Sequence, residues 1–419
     1  MSSVIKITGL PRIGGEGSLF LKLHNRRVTH VEFQVQEPPR LFEALVRGRH
    51  AAELPDITAR ITSLSSVSCM IAACHAVEEA CGIRIDGPLR QLRRLIQCGE
   101  WLENHALHIY MLHAPDFLGY KDAVQMARDH RDAVERGLRL KHVGGEIVTL
   151  IGGRSMHPIN LRVGGFYKVP ERAELAALKG SLEWACDACA KTIEWTAQFP
   201  MPRFERDYLW VCLQNEGEYP LFGQRVISNR GLDIALRDYD RHFHEICLPY
   251  SNALHSLLHD NAIFSVGPLA RFNLNLDKLT PRARQAAHAT GIGAGTRNPF
   301  HSILVRGIEA LYACEEALRL ISAYEPPPQP AEKVELQAGV GHGAAEAPHG
   351  LLYHRYRFDA QGLVLDAKIV PPSTQNQGII EEDLRTFIPT VADAPASKLR
   401  LHCEQAIRNY APCLACATH

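Results

Sequence analysis

From Leu89 to Ala114 the chain reads LRQLRRLIQCGEWLENHALHIYMLHA, with apolar residues returning at i, i+3, i+4 and i+7. That period lays one apolar stripe along a helix of roughly seven turns. So long a stripe needs a partner surface, which commits the chain to helix-on-helix packing. SVSCMIAACHAVEEACGI just upstream carries the same period, as do PRLFEALVRGR and the stretches 121–141, 170–200, 230–260 and 300–323. A helical bundle over residues 38–323 is the expectation.

Both ends of the chain change period. SLFLKLHNRRVTHVEFQVQ alternates around Leu19–Leu23 and again around Val31–Val35, with HNRR as the turn between them. Residues 1–37 therefore read as a β-meander. EPPPQP, Glu325 to Pro330, cannot continue a helix and marks a surface connection. Beyond it LLYHRYRFDAQGLVLDAKIVPPST reads as two strands about the turn DAQG, and EEDLRTFI and ASKLRLHCEQAIRNY return to helix, completing 331–419. The expected fold class is α+β, mainly α: a long helical bundle with small β elements near both termini, in one domain and without internal repeats.

Charge removes several function classes. Lys+Arg and Asp+Glu number 46 each, so no basic face for nucleic acid is offered. A net charge near zero suits a subunit that buries surface on a partner. No apolar run approaches the roughly 18 residues of a membrane span. MSSVIKITGL lacks the basic and apolar regions of an export signal, and the twelve cysteines are scattered. They read as reduced thiols in a cytoplasmic protein.

Two of them stand out. YAPCLACATH closes the chain with Cys413 and Cys416 three apart, and two thiolates alone rarely complete a metal site. The ordered set PPRLFEALVRGR, DITARI, AACHAVEEACGI, HALHIYMLHAPDFLGY, GGRSMHP, EAPHG, VPPSTQNQGIIEEDLR and RNYAPCLACATH resembles the large subunit of [NiFe] hydrogenases, in the flavour of its cytoplasmic, multi-subunit group. The resemblance covers nearly the whole chain. It implies a nickel and an iron held by two Cys-x-x-Cys pairs, the iron carrying cyanide and carbon monoxide.

The N-terminal pair is missing. Where the family pattern runs Ile-Cys-Gly-x-Cys, this chain reads RITSLSSVSC, with Thr62 and Ser65 in place of the cysteines and Cys69 in place of a histidine. A neutral hydroxyl is a far harder and weaker ligand than a thiolate. Other positions that the resemblance implies are catalytic have changed as well. Gly14 replaces a proton-relaying glutamate, His349 an arginine above the metals, and Ala411 an aspartate. Asp116 is the one canopy carboxylate left. Cleaving hydrogen requires a base and a charged, dry surround, so standard hydrogenase activity is expected to be absent.

Other family positions remain. Glu43 and His419 match residues that help bind a structural magnesium. Ser373 matches a hydroxyl that hydrogen-bonds an iron-bound cyanide, and Cys413 and Cys416 match the terminal and bridging thiolates. These two could hold a residual iron or nickel, or be core thiols without a metal. The resemblance also implies that family precursors lose a tail after the closing histidine; a chain ending at His419 is then either the mature form or encoded without that tail. Cys69 one turn from Ser65, the Cys186–Cys189 pair, and His105, His108 and His113 are read as packing residues before ligands.

The expected function is a hydrogenase-like large subunit of an oxidoreductase complex. Its iron–sulfur small subunit would dock on the β-meander and the helix after Ser65, with flavin- or NAD(P)-linked subunits beyond. The alternatives are a scaffold that assembles the Fe(CN)2CO unit on Cys413 and Cys416, and an active hydrogenase with altered ligands.

Overall fold

In the computed structural model, which describes residues 2–419, the meander forms three antiparallel strands: β1 (Ser2–Ile7), β2 (Gly17–His24) and β3 (Arg27–Val35). Asn25 and Arg26 both take positive φ, 47° and 62°, the two-residue turn whose twist matches the flanking strands. Leu19, Leu21, Leu23, Val31, Phe33 and Val35 all face the core.

Helix α1 is only Phe42–Val46, because Leu41 sits at φ 54° and starts the helix late. Then come α2 (Ser66–Ala80), α3 (Gly87–Leu107), α4 (Arg131–Gly152), α5 (Lys179–Thr196) and α6 (Ser302–Ala323). Helices α3 and α4 cross at Gly99 and Gly144. A Cβ on Gly144 would lie 2.5 Å from the Glu103 amide nitrogen, so only glycine allows the approach. No helix among the described residues is long and apolar enough to cross a membrane.

Two expectations fail. Residues 230–260 are not a helix but the strands Asp233–Ala235, Phe243–Ile246 and His255–Leu258 around a single turn, Tyr239–His242. Gly231 at φ 87° breaks the backbone ahead of this region, and Tyr239 stacks on Phe243 and Tyr353 at 4.3 and 4.1 Å between ring centroids. Tertiary stacking outweighs the helical period there. The helix after Ser65 is no docking face either, for α2 is buried on nearly every side. Its apolar residues run around the whole helix, which lies between a sheet and the bundle.

That sheet has β4 (Gly339–Ala347), β5 (Gly350–Phe358) and β6 (Val364–Val370) in order. GVGHGAAEA has only Val340 among the usual strand residues. Cβ atoms on Gly341 and Gly343 would lie 1.8 and 1.9 Å from the Ala76 and Ala72 carbonyl oxygens, so these glycines let α2 lie directly on β4. Helices α7 (Pro372–Phe387) and α8 (Ala396–Arg408) lead to the C-terminal segment.

Candidate functional site

Four segments meet around Cys413: the loop at Gly14, the residues before α2, the β4–β5 turn, and the N-terminus of α7. Gly14 pairs with Cys413 in a parallel bridge, its amide donating to the Pro412 carbonyl at 3.2 Å. The Cys413 amide donates to Ser373 Oγ at 2.9 Å. Thr62 Oγ1 lies 3.4 Å from Cys413 Sγ and also accepts the Leu64 amide at 3.1 Å. Cys413 and Cys416 are joined as a disulfide. Ser65 is buried just before α2, and among the described residues no hydrogen bond joins its hydroxyl to either cysteine. Ala411 is held at φ 48°, a left-handed conformation that aspartate tolerates better than alanine.

The remaining expected residues fall nearby. Asp116 is gripped by Arg408, with Nε on Oδ2 at 2.6 Å and Nη2 on Oδ1 at 2.8 Å, and by Arg12. Its lone pairs are committed to cations, which leaves it no free face as a base. His349 sits in the β4–β5 turn, and its imidazole is pushed down to about 3 by burial and then by Arg306 and Arg271. His105, His108 and His113 are buried and held neutral, chiefly by desolvation. Burial raises the Cys69 thiol far above its ordinary value.

At the C-terminus, His419 Nε2 lies 3.7 Å from Glu43 Oε1, while Nδ1 faces the Cys416 carbonyl at 2.9 Å. The Ile369 amide donates to Glu43 at 2.7 Å. Burial works to raise the Glu43 carboxyl, but His419, that amide and Lys368 outweigh it and hold it below its usual value. Leu41, two residues before Glu43, is 62% exposed. None of the neighbouring arginines takes the carboxylate: Arg40 caps backbone carbonyls, while Arg47 and Arg49 pair with Asp366 and Glu53. Glu43 offers the kind of oxygen ligand that magnesium prefers, with the His419 imidazole beside it.

A four-thiolate, two-metal centre does not fit the residues at Cys413. One hydroxyl faces one cysteine sulfur, and the space over them is about 20 Å³, lined among others by Gly14, Leu64, His108, His349 and Cys413. Among the described residues no three His, Cys, Asp or Glu side chains converge to hold a metal ion, which covers Cys69 and the Cys186–Cys189 pair as well.

Comparisons with known proteins bear on the whole arrangement. The sequence model described as nickel-dependent hydrogenase matches residues 40–139. The chain is 28% identical to sulfhydrogenase 1 subunit alpha of Pyrococcus furiosus, covering 99% of this chain and 97% of that one. It is 26% identical to the NAD-reducing hydrogenase HoxS subunit beta of Cupriavidus necator, covering 100% and 95%. A solved NAD+-reducing [NiFe]-hydrogenase in its H2-reduced state superposes with a TM-score of 0.88 at 26% identity, covering 100% of this chain and 99% of that one.

The chain resembles [NiFe]-hydrogenase large subunits along its whole length.

A solved Ni-Fe-Se hydrogenase from D. vulgaris Hildenborough in the reduced state shares the fold at a TM-score of 0.77 and 20% identity, covering 100% of each chain. Within this chain, sequence reasoning missed a buried ionic network. Arg271 donates to Glu309 at 2.9 and 2.8 Å and to Glu346 at 2.9 Å, all three fully buried. Arg306, one turn from Glu309 on α6, is buried without a carboxylate of its own. The signal was present: Arg306 and Glu309 interrupt an otherwise apolar run, SILVRGIEALYA. A cleft of about 500 Å³ between His75, Phe222 and Arg237 contains none of the expected site residues.

Proposed function

We propose that this subunit works in a heteromeric oxidoreductase without cleaving hydrogen, paired with an iron–sulfur small subunit and, through it, with flavin- or NAD(P)-linked subunits. The Thr62 hydroxyl 3.4 Å from Cys413 Sγ carries the reading, because the resemblance implies a second thiolate at that place. A hydroxyl brings neither the charge nor the soft sulfur a nickel thiolate centre needs. Proton handling is depleted in parallel: Gly14 has no side chain, Asp116 is saturated by two guanidinium groups, and His349 is a neutral imidazole. Near-complete coverage of relatives that are themselves named as subunits supports a role inside a complex.

The geometry also supports a magnesium ion on Glu43 and His419. Bound there, it would tie the C-terminal segment to α1 and supply cohesion and no redox chemistry. A second reading, a scaffold for an iron–cyanide–carbonyl unit, is favoured by one observation. Cys413, Cys416 and Ser373 survive together, with the Ser373 hydroxyl 2.9 Å from the Cys413 amide.

Elemental analysis with infrared spectroscopy on the purified complex separates these readings. No nickel and no cyanide or carbonyl bands, with a co-purifying iron–sulfur subunit, is the expected result. Bands from iron without nickel would favour the scaffold, and stoichiometric nickel with both bands would overturn the loss of the centre.

A further inference from the structure

We propose that Cys413 and Cys416 work as a thiol–disulfide couple, a redox centre that exchanges an electron pair with small dithiols and is poised by the Thr62 hydroxyl. The inference rests on the proposed loss of the nickel–iron centre, since a metal would claim both sulfurs.

The disulfide joins residues three apart in a chain whose ten other cysteines are free. As a staple it would add little, because the restraint a disulfide places on the chain grows with the loop it closes, and this loop is among the shortest available. The segment is also held without it. Gly14 bridges Cys413, the Cys413 amide donates to Ser373 Oγ, and the Arg40 amide donates to the Thr418 carbonyl at 2.8 Å. One disulfide among many free thiols, closing a Cys-x-x-Cys, is the arrangement of a pair that opens and closes.

Thr62 sets the balance between the two states. Disulfide-bonded Cys413 has no proton to give, so in the 3.4 Å contact the Thr62 hydroxyl is the donor. Its oxygen already accepts the Leu64 amide, which leaves the O–H for the sulfur. A cysteine thiolate accepts a hydrogen bond better than a disulfide sulfur does, so the contact favours the reduced pair.

Access to Cys413 is short. A cleft of about 170 Å³, with the exposed Ser63, Ser155 and Met156 on its rim, shares Leu64, Asn104 and Leu107 with the space over Cys413. One layer of side chains therefore separates the sulfur from the outside, and Asn104 fastens it by donating to the Leu64 carbonyl. In the exchange, one sulfur of a dithiol bonds to Cys413 while Cys416 leaves, and the second sulfur then displaces Cys413. The protein's S–S bond breaks as the dithiol closes its own, and two electrons and two protons pass from the dithiol to the cysteines.

The test uses the full-length chain with any co-purifying subunit, after nickel and iron have been measured in the same sample. The folded protein is equilibrated with graded ratios of reduced to oxidised dithiothreitol, or of glutathione where dithiothreitol reduces it throughout. It is then quenched in acid, alkylated in denaturant, and its C-terminal peptide weighed by mass spectrometry. The expected result is a reversible transition in which Cys413 and Cys416 gain their two labels together. Thr62→Val should move the midpoint toward the disulfide by about fivefold, what one ordinary hydrogen bond is worth. Thr62→Ser, which keeps the hydroxyl, should restore the wild-type midpoint, and it shows that the site still folds. In metal-free protein, a pair labelled at every ratio, or one that opens only after denaturation, would overturn the couple alone. An equal midpoint in Thr62→Val would overturn the role of the hydroxyl. Stoichiometric nickel or iron would overturn the reading beneath it, and the couple with it.

Discussion

Thr62 and Cys413, 351 positions apart in sequence, face each other hydroxyl to sulfur across 3.4 Å. The contact converts a sequence substitution into a spatial fact, because the hydroxyl stands where a ligand to the same metal as Cys413 is implied. Restoring the thiolates should therefore change metal binding before it changes catalysis. Thr62→Cys with Ser65→Cys is expected to raise the nickel retained per chain after reconstitution. Hydrogen uptake should stay at background, since Gly14, His349 and the saturated Asp116 still provide no proton relay. Elemental analysis paired with a hydrogen electrode checks both halves; recovery of uptake in the double variant would show that the relay lies elsewhere.

Glu43 should couple stability to magnesium and to pH. Its folded-state carboxyl lies below the ordinary value, so its contribution is complete above the unfolded pKa, near 4.5, and is lost as pH falls through the folded value. Added magnesium should raise the Tm of the wild type and a chelator should lower it. Glu43→Gln should abolish both responses and flatten the acid limb of the stability profile. An unchanged response to magnesium in the variant would place the ion at another site.

Arg271 holds Glu309 down to about 2, outweighing the burial that pushes the carboxyl up. Breaking such a pair leaves a buried, uncompensated charge, and Glu309→Gln should cost about 3–5 kcal/mol. The wild type should lose this contribution only as pH falls from about 4.5 toward 2, the direction set by a depressed carboxyl. Urea denaturation at neutral pH and again near pH 3 measures it; equal losses for the variant at both would contradict the assignment.

Gly343 lets α2 lie against β4. Alanine there would bring its Cβ to 1.9 Å from the Ala72 carbonyl oxygen, backbone against backbone, so the helix must shift. Gly343→Ala is expected to destabilise by about 1–3 kcal/mol or more, whereas Gly293→Ala, which meets nothing within 4 Å, should be close to neutral. A lower urea midpoint for the first and not the second would agree.

Much of this was legible in the sequence, for identifiable reasons. The period of LRQLRRLIQCGEWLENHAL and the alternation of SLFLKLHNRRVTHVEFQV follow from which faces are buried, so α3 and the meander could be read directly. Strand β4 could not, because its glycines serve the helix above it and not the strand. The stretch 230–260 misled because Tyr239 and Phe243 satisfy a helical spacing, but Tyr239 stacks on Tyr353 from another part of the chain. At the site, substitutions such as Thr62 and His349 were visible as letters. That Asp116 is locked between Arg12 and Arg408, and that Arg306 lacks a carboxylate, depends on residues hundreds of positions apart.

The central claim is that this hydrogenase-like subunit does not cleave hydrogen, and hydrogen-dependent reduction of a viologen dye by the purified, complete complex tests it most directly. The account predicts a rate indistinguishable from the same sample under argon, and sustained reduction that requires hydrogen would contradict it.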